Sequence, residues 1–174
     1  LTALGIAVSA DGRGGPRGKS RRVNWEIAGS VFNGIQAVPS QGADPASFSL
    51  INLSAKGSPG RARIEYVGTA QPVPISDLCP EDTVLQLAAT AGFVATFADQ
   101  STLFFAIDDS AGAQNALCII PPGPNVGIFD YVVTGGTGRF EGATGHVTVE
   151  VAAWGVSPAL AAETGTIVGT IELP

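Results

Sequence analysis

Short runs in which large apolar residues alternate with small or polar ones recur from Val23 to the end of the chain, and they restrict the fold more than any other feature. They are Val23, Trp25 and Ile27; Ala62, Ile64 and Tyr66; Phe93, Ala95 and Phe97; Leu103, Phe105 and Ile107; Phe129, Tyr131 and Val133; Val147, Val149 and Val151; and Ile167, Gly169 and Ile171. A period of two puts each set on one face of a β-strand, and each run is strand-length and bounded by turn residues. Residues 80–90 are ambiguous between helix and strand and are read as a strand, which brings the count to about eight. Residues 99–101 and 135–136 are read as turns. One helical turn or two is expected at 157–165, where Ser157 and Pro158 precede an Ala/Leu/Glu run that ends at Gly165.

Composition agrees with an all-β domain. The 174 residues are enough for one domain with a sizeable core. With 45% hydrophobic and 14% charged residues the chain is too apolar for disorder, and 23 glycines and 12 prolines spread along it suit many short strands and tight turns. No apolar run approaches the roughly 20 residues of a membrane-spanning helix. The sequence starts at Leu1 and has no methionine, so a mature, secreted or periplasmic form with its leader removed is expected. Val8-Ser9-Ala10 itself resembles a leader cleavage site. Cys79 and Cys118, the only cysteines, are expected to form one disulfide, and closing a loop of about 40 residues contributes about 4 kcal/mol in the chain-entropy model. The alternative is two buried thiols.

Charge is uneven. Arg13, Arg17, Lys19, Arg21 and Arg22 fall within ten positions, whereas from Val23 onward four basic residues stand against fourteen acids, a net charge of −10. Residues 11–22, rich in Gly and charge, read as a flexible connector. Ahead of it Leu4, Ile6 and Val8 alternate with small residues as a separate strand. The expected organisation is an N-terminal strand with a basic arm over 1–22, followed by the main domain over 23–174. The arm lacks interleaved aromatic residues and its body is acidic, which argues against a nucleic-acid partner.

Residues 130–151 read DYVVTGGTGRFEGATGHVTVEV, two alternating strands around glycines 135, 136, 138 and 142, with Phe140 placed to plug a barrel end. This segment resembles the GGTGRFEGATG hairpin of the allene oxide cyclase-like and dirigent-like families, in particular a bacterial secreted member. The resemblance implies an eight-stranded antiparallel barrel, commonly oligomeric, with an apolar cavity. It carries over no catalytic residue, because those implicated in the plant allene oxide cyclases lie outside the hairpin.

Few side chains signal chemistry. GGTGRFEG lacks the Lys-Ser/Thr of a phosphate loop and is followed by a strand, not a helix N-terminus. No Gly-x-Ser-x-Gly elbow occurs, and the single histidine, His146, is expected on a solvated face opposite Val147. Asp108, Asp109 and Asp130 lack further ligand types, so no metal is assigned, and no cofactor. Glu26 and Glu65 are the carboxylates considered for proton transfer inside a barrel, although alternation favours water-facing positions for both.

Two functions compete. In one, Leu4, Ile6 and Val8 add to a neighbouring subunit and build an extracellular homo-oligomer or filament. In the other, the barrel is a carrier or cofactor-free isomerase for an apolar small molecule, walled by Trp25, Tyr66, Phe93, Phe97, Phe105 and Phe129 with Phe104 in reserve. That reading expects a cavity of about 300 Å³ or more.

Overall fold

The computed structural model describes residues 18–36, 46–157 and 160–174. They form ten antiparallel strands: β1 (Lys19–Gln36), β2 (Ala46–Ser58), β3 (Ala62–Val73), β4 (Leu85–Ala89), β5 (Phe93–Phe97), β6 (Thr102–Ile107), β7 (Asn115–Ile119), β8 (Asn125–Gly136), β9 (Thr144–Ser157) and β10 (Leu160–Leu173). No α-helix occurs among the described residues, only a 3₁₀ turn at Gly138–Phe140.

The strands close into an eight-stranded barrel. β1 pairs with β10 on one side and β2 on the other, and the ring continues through β9 and β8 in one direction and β3 in the other. Between β3 and β8 the wall is split by level: β5 and β6 complete it at one end, β4 and β7 at the other. Tyr66↔Phe93 and Ala70↔Ala89 keep a single register, so β4 and β5 are one strand interrupted at residues 90–92. Any cross-section through the ring therefore meets eight strands, a number whose interior is just filled by side chains or leaves room for one small ligand.

The inward faces carry the alternating residues of the sequence, with Val23, Trp25 and Ile27, Phe93, Ala95 and Phe97, and Tyr131 and Val133 all buried. One end is sealed. Phe140 is fully buried, its ring 4.7 Å from Phe97, and Trp25 lies 5.9 Å from Phe97 while its indole N–H donates to the Gly60 carbonyl at 2.7 Å. The Arg139 guanidinium lies over both Phe97 and Phe140 and reaches Asp99 at 3.4 Å. The turn that places Phe140 requires left-handed backbone at Gly138 (φ 60°) and Gly142 (φ 70°), where a β-carbon is strained.

Four sequence expectations need correction. The expected helix at 157–165 is strand over its described residues: β9 ends at Ser157 and β10 runs from Leu160, because hydrogen bonding to β1 and β9 on both sides outweighs the local helix propensity of the Ala/Leu/Glu run. Lys19, Arg21 and Arg22 are not tether but the first residues of β1, paired with the end of β10. Gly135 and Gly136 end β8, and the turn lies beyond them. Within 80–90 only Leu85–Ala89 is strand. Two strands, β2 and β7, were not expected. The arm residues Arg13 and Arg17, and the strand residues Leu4, Ile6 and Val8, lie outside the described residues.

The Cys79–Cys118 disulfide is formed, with the two α-carbons 5.6 Å apart. It ties the 74–84 segment to β7. No helix among the described residues is long and apolar enough to cross a membrane.

Phe140→Ala is expected to lower the unfolding free energy by about 3–5 kcal/mol, and Phe104→Ala, on the outer face, by about 1 kcal/mol or less. Urea denaturation measures both, and equal losses would contradict the plug.

Candidate functional site

At the end away from Phe140 the barrel is not filled. A cavity of about 130 Å³ is lined from all eight strands of that level, with Val31, Ile51, Ala70, Ala89, Leu117, Asn125, Ala153 and Ala161 nearest the outer end. The small residues explain the space. Tyr66 and Phe93 form part of its wall with Phe129 and Tyr131. Phe93 meets Tyr131 edge-on at 4.9 Å and stacks on Phe105 at 4.2 Å, so the aromatic wall is backed by a second ring.

Glu163 projects into this space. On β10 the inward positions are Ala161, Glu163, Gly165 and Ile167; directly across from Glu163 stand Gly29 on β1 and Ala153 on β9, neither of which covers the carboxyl. Glu163 is only 7% exposed, and no described residue donates a hydrogen bond to it or stands against it as a cation. Burial therefore acts unopposed, and its pKa is pushed up to about 7 from an ordinary 4.5. Tyr131 is also raised, first by its own burial and then by Tyr66 and Glu163, and Tyr66 is raised by burial. Near neutrality the cavity holds one carboxyl able to give or take a proton, beside two neutral phenols.

The sequence-derived candidates divide by depth. Tyr66, Phe93 and Phe129 line the cavity, whereas Trp25 and Phe97 are buried at the plugged end and Phe105 lies behind Phe93. Phe104 is on the outer face. Glu26 and Glu65 face water, Glu65 paired with Arg63 at 2.9 Å. His146 is exposed on the outer wall near Asp108, whose pKa is lowered mainly by hydrogen bonds from Ser110, with a smaller contribution from His146. Asp130 accepts from Thr148 Oγ1 at 2.7 Å and from the Gln114 N–H at 2.8 Å. No group of three metal-ligand side chains occurs among the described residues.

The cavity is smaller than the 300 Å³ expected, and Glu163 was missed. Its signal was present: extending the Ile171, Gly169, Ile167 alternation back by two positions at a time reaches Gly165, Glu163 and Ala161. The helical reading of 157–165 hid it.

No family model and no curated protein matches the sequence. Among solved structures, the chain is similar to the pterocarpan synthase dirigent protein GePTS1, at 15% identity and a TM-score of 0.51, covering 99% of this chain and all of that one. A second pterocarpan synthase dirigent protein, PsPTS1, matches at 13% identity and a TM-score of 0.49, over 91% of this chain and 99% of its own. The likeness to the first is one of fold: the chain has an antiparallel barrel fold like that of this dirigent protein.

Glu163 makes stability depend on pH in a set direction. Between about pH 4.5 and 7 the folded state holds a proton that the unfolded state has released, so stability falls as pH rises through that window. The full loss is about 3 kcal/mol. Glu163→Gln is expected to match the parent at pH about 4 and to exceed it above pH about 7. Denaturation curves that stay parallel from pH 4 to 8 would contradict the unpaired carboxyl.

Proposed function

We propose that this chain is an exported, bacterial-type dirigent-like barrel that takes up a small apolar molecule and orients it against Glu163. The observation that carries this reading is a buried carboxyl with no partner among the described residues, in an otherwise apolar, aromatic-walled cavity. Burying such a group works against folding by several kcal/mol unless something offsets it, so a role in holding a ligand accounts for what packing does not. The cavity is on the scale of a single aromatic ring, and its open end lets a longer molecule extend outward. With a carboxyl poised near neutrality, proton transfer to or from a bound ring or alkene suits a cofactor-free isomerase or cyclase as well as a carrier. The same barrel fold occurs in a pterocarpan synthase dirigent protein, which supports small-molecule chemistry in a barrel of this shape. The disulfide supports an oxidising, extracytoplasmic compartment.

Toluene is a minimal probe. Titrated into labelled protein, it is expected to shift the methyl resonances of Ile27, Val149 and Ile167 saturably, with Ala153→Phe abolishing the shifts while leaving a dispersed, folded spectrum. Methyl resonances unmoved at millimolar toluene would refute the reading.

Self-assembly is a second reading, supported by Trp154, Val156 and Leu160, large exposed apolar side chains clustered at the β9–β10 hairpin. Every strand of the barrel already has a hydrogen-bonded neighbour on both sides, so an added Leu4, Ile6 and Val8 strand would dock by side chains and not by extending a sheet edge. Removing residues 1–17 is expected to convert an oligomer into a folded monomer in sedimentation velocity; an unchanged sedimentation coefficient per subunit count would rule this out.

A further inference from the structure

Charge is distributed along the barrel axis in a way that bears on what the cavity admits. Every lysine and arginine among the described residues lies toward the plugged end: Lys19, Arg21 and Arg22 at the start of β1, Lys56 at the end of β2, Arg61 and Arg63 around the start of β3, and Arg139 over Phe140. Among the described residues the open end has none. Its rim includes the 74–84 segment, which joins β3 to β4 and is fastened to β7 by the disulfide and by the Val84 N–H donating to the Ile119 carbonyl at 3.0 Å. That segment bears Asp77, Glu81 and Asp82, all exposed. Behind the rim the cavity contains one group capable of charge that no described residue neutralises.

We infer that the cavity takes an organic cation: a small amine whose ammonium pairs with the Glu163 carboxylate while its apolar body rests on Tyr66, Phe93, Phe129 and Tyr131. This rests on the ligand-binding reading above and narrows it to a substrate class. An anionic ligand would meet a buried carboxylate with no lysine or arginine on the lining. A neutral alcohol or hydrocarbon leaves Glu163 uncompensated once it ionises. A cation supplies both the opposite charge and a hydrogen-bond donor in a low-dielectric site, where that pairing is strongest. The aromatic wall supplies apolar contact for the body of the amine, and the acidic rim raises the local concentration of cations at the mouth.

Because Glu163 is the acid and, among the described lining side chains, only Tyr66 and Tyr131 also titrate, with Gly29 and Ala153 facing it from the flanking strands, uptake of the cation should expel one proton from the carboxyl. Benzylamine, benzyl alcohol and toluene share one ring and differ in charge, and calorimetric titration of the three compares them directly. Above about pH 8, benzylamine is expected to bind at least about tenfold more tightly than benzyl alcohol. The advantage should shrink below about pH 6 as Glu163 is protonated, and disappear in Glu163→Gln, which should still bind toluene and so report an intact cavity. Toluene binding without any preference for benzylamine would overturn the cation assignment and leave the ligand barrel standing. A preference that survives Glu163→Gln would overturn it as well, placing the selectivity on the rim. Failure of all three probes to bind would remove both readings together.

Discussion

The pairing of β1 with β2 on one edge and β10 on the other is the contact on which the molecule depends. β1 is the longest strand, and by holding both neighbours it converts a sheet that would otherwise have two open edges into a closed ring. Closure fixes an inside and an outside, and with them the fate of every alternating side chain. It also leaves two ends to be managed. The 137–143 turn folds Phe140 across one of them, where Phe97, Trp25 and Arg139 hold it. The opposite end has small residues at its inward positions, so space remains there. The location of the cavity follows from the asymmetry of the two ends.

Most of the barrel was legible because period-two alternation is a direct consequence of the pleat. Where a strand carries large residues on its inner face, as β5, β8 and β9 do, the pattern is unambiguous. It fails where the inner face is small. β2 alternates with Ile51, Leu53 and Ala55 inward, among serines and a glycine that resemble loop composition, and β7 is five residues long. The start of β10 is the instructive case: alanines and a glutamate have high helix propensity, and a strand with those residues exists only because β1 and β9 pair with it on both sides. The same smallness makes the cavity. The segment least recognisable as strand is thus the one that lines the site, and Glu163 was lost with it.

A buried acid with no partner among the described residues is a statement about energy before it is one about chemistry. Tyr66 and Tyr131 cannot neutralise it: burial makes both hydroxyls harder to ionise, and Tyr131 is raised further by Tyr66 and by Glu163 itself. The lining strands offer Gly29 and Ala153 where a partner might have been placed. Sites of this kind keep a charge available in a water-poor setting, where its interactions with whatever enters are larger than at a surface.

The division of the wall between β3 and β8 gives the two ends different mechanical characters. Toward the plug the gap is spanned by β5 and β6, whose ladders run to four or five residue pairs, with a bulge at Phe104/Phe105 against β8, and are backed by the packed aromatic floor. Toward the cavity it is spanned by β4 and β7, which share only three paired residues with each other. Local opening is easiest where hydrogen-bond ladders are short and packing is thin. Beside the seam between β4 and β7 the covalent link from Cys79 to Cys118 fastens β7 to the 74–84 segment, so the shortest ladder of the wall is secured by a bond that does not depend on hydrogen bonding.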